Sequence, residues 1–87
     1  MYLIVTYDIE EKRVAKVLKT CRKYLKWVQN SVFEGPITEG KLEKLKLELE
    51  KIIDEEKDSV RFYVMDSESA FELQTMGKVK EEYGFVV

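Results

Sequence analysis

The first eight residues constrain the fold more than any other stretch of the chain. Tyr2-Leu3-Ile4-Val5-Thr6-Tyr7-Asp8 is β-branched, aliphatic or aromatic at both alternating sets of positions. That is the pattern of a central strand buried on two sides. A strand of this kind needs neighbours on both edges and other elements packed over it, so the rest of the chain must supply them. Eighty-seven residues leave room for one core, and the expectation is a single domain over residues 1–87.

From Arg13 onward the period changes from two to that of a helix. Val14, Val17, Leu18, Cys21 and Leu25 share one stripe, while Lys12, Lys16, Lys19, Lys23 and Lys26 follow one another on the opposite face. Trp27 to Ile37 is β-prone up to Gly35-Pro36 and reads as one bent strand or two short ones. Thr38 is placed to cap a second helix whose stripe is Leu42, Leu45, Leu49, Ile52 and Ile53, ending near Lys57. Ser59 to Met65 alternates again, a short strand is expected over Phe71 to Thr75, and the apolar end Tyr83-Gly84-Phe85-Val86-Val87 needs a partner surface.

This order predicts an α+β, ferredoxin-like βαββαβ sandwich with both helices on one face of a mainly antiparallel sheet. The other face would stay open, and a second copy covering it would complete the core, so a homodimer is expected.

Composition then closes several kinds of chemistry. With no histidine in the chain there is no Ser-His-Asp or Cys-His system and no histidine-ligated zinc. The single Cys21 sits on the apolar stripe of the first helix, reads as packing, and fits a reducing compartment, so cytoplasm is the expected location. No apolar run approaches a membrane span, no targeting segment is recognised, and no membrane partner is expected. The Gly-rich phosphate loops of P-loop and Rossmann proteins are missing, and Val60 to Met65 lacks the glycines and ordered aromatics of RNA-recognition strands.

Charge is unevenly spread. Residues 10–26 carry +5 while the other 70 residues carry −7, for a net charge of −2. The basic first helix could track phosphates, although a solvated helix face gives the same pattern. Trp27, Phe33 and Tyr63 could stack on bases, but aromatic residues in strands more often fill the core.

Asp8 ends the first strand, where a sheet presents side chains at its rim. Two roles compete for it. Asp8-Ile9-Glu10-Glu11 matches a capping box, which residue physics alone favours. One carboxylate makes a poor Mg2+ site, but a two-fold axis bringing two Asp8 side chains together would offer a cation two carboxylates and a phosphate.

Three stretches together are distinctive: Tyr2 to Ile9, Val28-Gln29-Asn30-Ser31-Val32-Phe33-Glu34-Gly35, and Asp58-Ser59-Val60-Arg61-Phe62-Tyr63. They resemble the CRISPR-associated protein two family, the small dimeric, endonuclease-like subunit of the spacer-acquisition machinery. The resemblance implies a ferredoxin-like homodimer whose C-terminal strand, with Tyr83, Phe85, Val86 and Val87, adds to the partner's sheet. It implies that Asp8 from each protomer is the catalytic, metal-binding carboxylate, with Mg2+ or another divalent cation as cofactor. By the same matching, Tyr7 lies beside the metal, Arg13 is linked to substrate binding, and Ser31 and Phe33 belong to a supporting strand motif.

Lys12, Lys16 and Lys26 join Tyr7 and Arg13 as expected nucleic-acid contacts. Where this chain has Trp27, many relatives carry a basic residue; here the basic residue is Lys26 next door. The implied function is metal-dependent cleavage of phosphodiester bonds in RNA or DNA during CRISPR adaptation, with nucleic acid and the integrase subunit as partners. The alternative is a non-catalytic scaffold that binds duplex DNA and bridges integrase subunits.

Overall fold

The computed structural model describes residues 1–66 and 71–78. Its elements run β1 (Tyr2–Asp8), α1 (Glu11–Arg22), β2 (Lys26–Gln29), β3 (Val32–Pro36), α2 (Glu39–Ile52), β4 (Ser59–Met65) and β5 (Phe71–Gly77). The strands form one sheet in the order β2-β3-β1-β4-β5, and every neighbouring pair is antiparallel. The first four strands thus take the ferredoxin-like arrangement, and β5 extends the β4 edge.

Burial follows the sheet register. Leu3, Val5 and Tyr7 of β1, Phe33 of β3 and Val60, Phe62 and Val64 of β4 point to one face, where they join Val17 and Cys21 of α1 and Leu42, Leu45 and Leu49 of α2 in a single core. Phe33, Phe62, Leu3 and Leu45 are among its fully enclosed side chains. On the other face, Ile4 and Thr6 are half-buried and Tyr2 and Asp8 are exposed. β1 is therefore fully buried on one face only, because both helices pack on the same side. The open face that the element order implied is present among the described residues.

One open reading is settled, in favour of two short strands over Trp27 to Ile37, and three local expectations are corrected. The Trp27 to Ile37 stretch is a hairpin whose two-residue connection is Asn30-Ser31, since Gln29 pairs with Val32; Gly35-Pro36 lies at the far end of β3. Asn30 takes φ +43, a left-handed conformation that asparagine tolerates better than most residues. α2 starts at the expected cap, with Thr38 Oγ1 accepting from the Lys41 N–H, but ends at Ile52 and not near Lys57. Residues 54–57 form a turn instead, because the Asp58 carboxylate accepts the Asp54 N–H and the Asp54 carbonyl accepts the Asp58 N–H.

The second correction concerns α1. Its N-cap is Glu10, with no side-chain cap hydrogen bond, so the capping box from Asp8 does not form. The last concerns β5, which reaches Gly77, two residues beyond the expected strand. The apolar end, with Tyr83, Phe85, Val86 and Val87, lies outside the described residues, as does most of the 66–87 segment expected to associate with a partner.

Candidate metal and nucleic-acid site at the end of β1

Asp8 is the last residue of β1 and pairs across the ladder with Ser59, the first residue of β4. By register it belongs to the open face with Ile4 and Thr6. A pocket of about 230 Å3 opens here, lined by Thr6, Tyr7, Asp8, Ser59, Arg61 and Tyr63. Its walls supply a carboxylate, several hydroxyls and a guanidinium, and Ser59 and Arg61 are buried although polar. The resemblance had included Ser59, Arg61 and Tyr63 within a strand but assigned them no role. Alternation in β4 would have placed them on the Asp8 face once the register with β1 was known.

The donor set suits a hard divalent cation in kind, being carboxylate and hydroxyl oxygen. In number one chain falls short: among the described residues no three cysteine, aspartate or glutamate side chains come together to hold a metal. Asp8 contributes one carboxylate per chain, so a two-carboxylate site requires a second copy.

The other expected residues spread over the molecule. Tyr7 is a core residue, only 7% exposed, with its ring 6.2 Å from that of Phe33 and 25° from parallel. Burial, and then the neighbouring Cys21, push its phenol up from the ordinary tyrosine value. This placement fits a supporting role and leaves little of the ring for nucleic acid. Phe33 is fully enclosed, and the Ser31 carbonyl accepts the Tyr7 N–H at 3.2 Å, which ties the β2–β3 turn to the end of β1. Cys21 is buried and its thiol is pushed up to about 12 by desolvation, which agrees with packing.

Lys12, Lys16, Lys19, Lys23 and Lys26 are all exposed, but only the first three lie on α1: Lys23 caps its C-terminus and Lys26 opens β2, so the helical stripe is shorter than expected. They do not form a free basic stripe throughout. Lys23 donates to Glu48 of α2, and Lys26 stands opposite Glu34 in the hairpin. Because α1 lies on the covered face and Asp8 on the open one, helix and carboxylate meet only around the end of the sheet, where Lys12 sits in the first turn of α1. Trp27 runs against the core reading: the residue is 48% exposed on the edge strand, and its Nε1–H donates to the Asn30 carbonyl at 3.0 Å.

Arg13 departs furthest from a surface cation. Its guanidinium grips Asp58, Nε to Oδ2 at 2.6 Å and Nη2 to Oδ1 at 3.1 Å, and Nη2 also reaches Glu10 Oε1 at 3.0 Å. Asp58 is fully enclosed and also accepts the N–H groups of Glu10 and Asp54, each at 2.9 Å. Burial by itself would raise its carboxyl, but the Arg13 hydrogen bonds and the two backbone donors outweigh that and hold it near 2. Sequence reasoning missed Asp58 as an organising residue, because a carboxylate before a strand carries no signal of a partner 45 positions away.

The family model described as CRISPR associated protein Cas2 matches residues 1–73. The chain belongs to the CRISPR-associated protein Cas2 family. It is 64% identical over 86 residues to the CRISPR-associated endoribonuclease Cas2 of Thermotoga maritima, covering 99% of both chains. It is 58% identical to a CRISPR-associated endoribonuclease Cas2 of Thermodesulfovibrio yellowstonii, over 99% of this chain and 98% of that one. Among solved structures, Streptococcus pyogenes Cas2 superposes with a TM-score of 0.70 at 42% identity, covering 76% of this chain and 87% of that one. These likenesses agree with the α+β, ferredoxin-like architecture. Among the described residues no helix is long and apolar enough to cross a membrane.

Proposed function

We propose that the protein is a metal-dependent endonuclease of CRISPR adaptation that works as a homodimer, with Asp8 of both protomers facing a shared site. The observation that carries this reading is the position of Asp8, exposed at the end of β1 on the rim of a polar pocket on the open sheet face. Relatives matched end to end bear the name endoribonuclease, which favours RNA as the first substrate to test, with duplex DNA second.

Two chains related by a two-fold axis along the open face would bring two carboxylates to one place, meeting the need for a second acidic ligand. Bound there, Mg2+ would neutralise phosphate charge and make water a better nucleophile at neutral pH. Asp8 would hold the cation, while Thr6 and Ser59 offer hydroxyls to the same pocket. Arg61 puts positive charge on the wall where an anionic phosphate would enter. Lys12 and Lys16 attract the flanking backbone without reading sequence. Partners under this reading are nucleic acid and the CRISPR integrase subunit, in the cytoplasm.

Cleavage of labelled RNA and duplex DNA, with Mg2+ or with EDTA, tests the proposal against Asp8→Asn. Asparagine keeps the size of the side chain and removes the charge. The variant should fold and dimerise as wild type does and lose metal-dependent cleavage. Full cleavage by a folded Asp8→Asn protein would remove Asp8 from the mechanism. No cleavage by wild type with any substrate and divalent metal would favour the bridging scaffold.

A further inference from the structure

Arg13 lies on the helix that carries the basic face, yet it does not behave as part of that face. Lys12, Lys16 and Lys19 are exposed, whereas the Arg13 side chain is 16% exposed and meets its partner as a two-pronged fork. The partner is enclosed: Asp58 has no accessible side-chain surface, and its two oxygens take four hydrogen bonds, two from Arg13 and one each from Glu10 N–H and Asp54 N–H. For Arg13 to swing out to a phosphate, this carboxylate would lose both charged donors while remaining buried, an arrangement that proteins avoid.

The pair is also placed to hold Asp8. Glu10, whose N–H is bound by Asp58, lies two residues beyond Asp8, and Ser59, next to Asp58, is the cross-strand partner of Asp8. The strand end is therefore gripped from both sides, by the ladder on one and by the Asp58 carboxylate on the other. Arg13 orients that carboxylate from the first turn of α1, and the Asp54 N–H fixes it from the α2–β4 turn.

We propose that Arg13 and Asp58 are a positioning pair that fixes the end of β1 carrying Asp8, and that Arg13 is not a phosphate contact. The inference rests on the reading of Asp8 as the reactive carboxylate. It parts with the substrate-binding role that family resemblance gives to Arg13. It leaves the electrostatic work to exposed lysines, Lys12 and Lys16 first.

The test compares full-length Arg13→Lys, Arg13→Gln, Asp58→Asn and the double variant Arg13→Gln/Asp58→Asn with Lys16→Gln, at a temperature where circular dichroism shows each to be folded. Nucleic-acid affinity is measured across a salt series, and kcat and KM are measured with Mg2+. Each lost phosphate contact lowers the slope of log K against log salt by about 0.9 for duplex DNA, so Lys16→Gln should flatten it and Arg13→Gln should not. In the folded Arg13 and Asp58 variants kcat should fall at least about 10-fold with KM within about 2-fold, and Arg13→Lys should not rescue it, because an ammonium cannot reproduce the fork.

The double variant should be no worse than its more damaged parent, as expected for residues that act as one unit. A flattened slope in Arg13→Gln, or wild-type kcat in the folded Arg13 and Asp58 variants, overturns the inference while leaving the proposed function standing. A wild-type protein that cleaves nothing defeats the proposed function, and the positioning role falls with it.

Discussion

Replacing Gly77 with alanine tests how tightly the sheet end around Asp8 is built. Gly77 closes β5 opposite Ser59 with φ +87, a region that costs a residue bearing a Cβ roughly 1–2 kcal/mol. Space makes matters worse: a Cβ there would stand 2.2 Å from the Asp58 carbonyl oxygen and 3.3 Å from Ser59 Cα. Both obstacles are backbone, so the side chain cannot simply turn away. Relief requires β5 and the start of β4 to part, which breaks the 2.7 Å hydrogen bond from Lys78 N–H to the Asp58 carbonyl, worth about 1 kcal/mol net.

The combined loss is about 3 kcal/mol, which in a domain this small lowers Tm by roughly 12 °C or more. Gly40→Ala is the matched control, since a Cβ at Gly40, in the first turn of α2, meets nothing within 4 Å. Both substitutions restrict the unfolded chain alike, so their difference isolates the folded state. Gly40→Ala should stabilise by about 0.5 kcal/mol through helix propensity. Guanidinium unfolding at one fixed protein concentration gives both values. A Gly77→Ala loss below about 1 kcal/mol would show that the backbone approach at Asp58 is not tight.

Two further outcomes follow from the charged groups. Because the folded state holds Asp58 near 2, against an ordinary value of 3.8, its contribution is complete above about pH 4 and is lost as pH falls toward 2. The size is on the order of 2 kcal/mol. Stability measured from pH 5 to pH 2 should fall less steeply in Asp58→Asn than in wild type, and parallel profiles would contradict the assignment. Reversing Lys12 and Lys16 to Glu should weaken RNA and DNA binding by similar factors regardless of sequence and reduce the salt slope, as read by fluorescence anisotropy; an unchanged slope would move the binding surface off α1.

Local periodicity determined much of this protein. The apolar run of β1, the stripe Val14-Val17-Cys21, the Thr38 cap and the alternation in β4 each report a property of a short segment. Hydrophobic burial then forces such segments together in few ways. Family resemblance likewise rested on contiguous stretches, and those sufficed to place Asp8 at a strand end.

Tertiary structure decided what depends on which segments become neighbours. A capping box at Asp8 and a buried Asp58 accepting the Glu10 N–H compete for the start of α1, and only the packing of β4 beside β1 gives Asp58 the position to prevail. Arg13 and Lys12 are adjacent cations in the chain, yet one is locked to a carboxylate 45 positions away and the other faces water. Trp27 shows the converse: an aromatic strand residue joins the core only if another element covers it, and β2 lies at the sheet edge with every residue exposed. Charge and hydrophobicity are written residue by residue, but the partner that satisfies or uncovers them is set by topology.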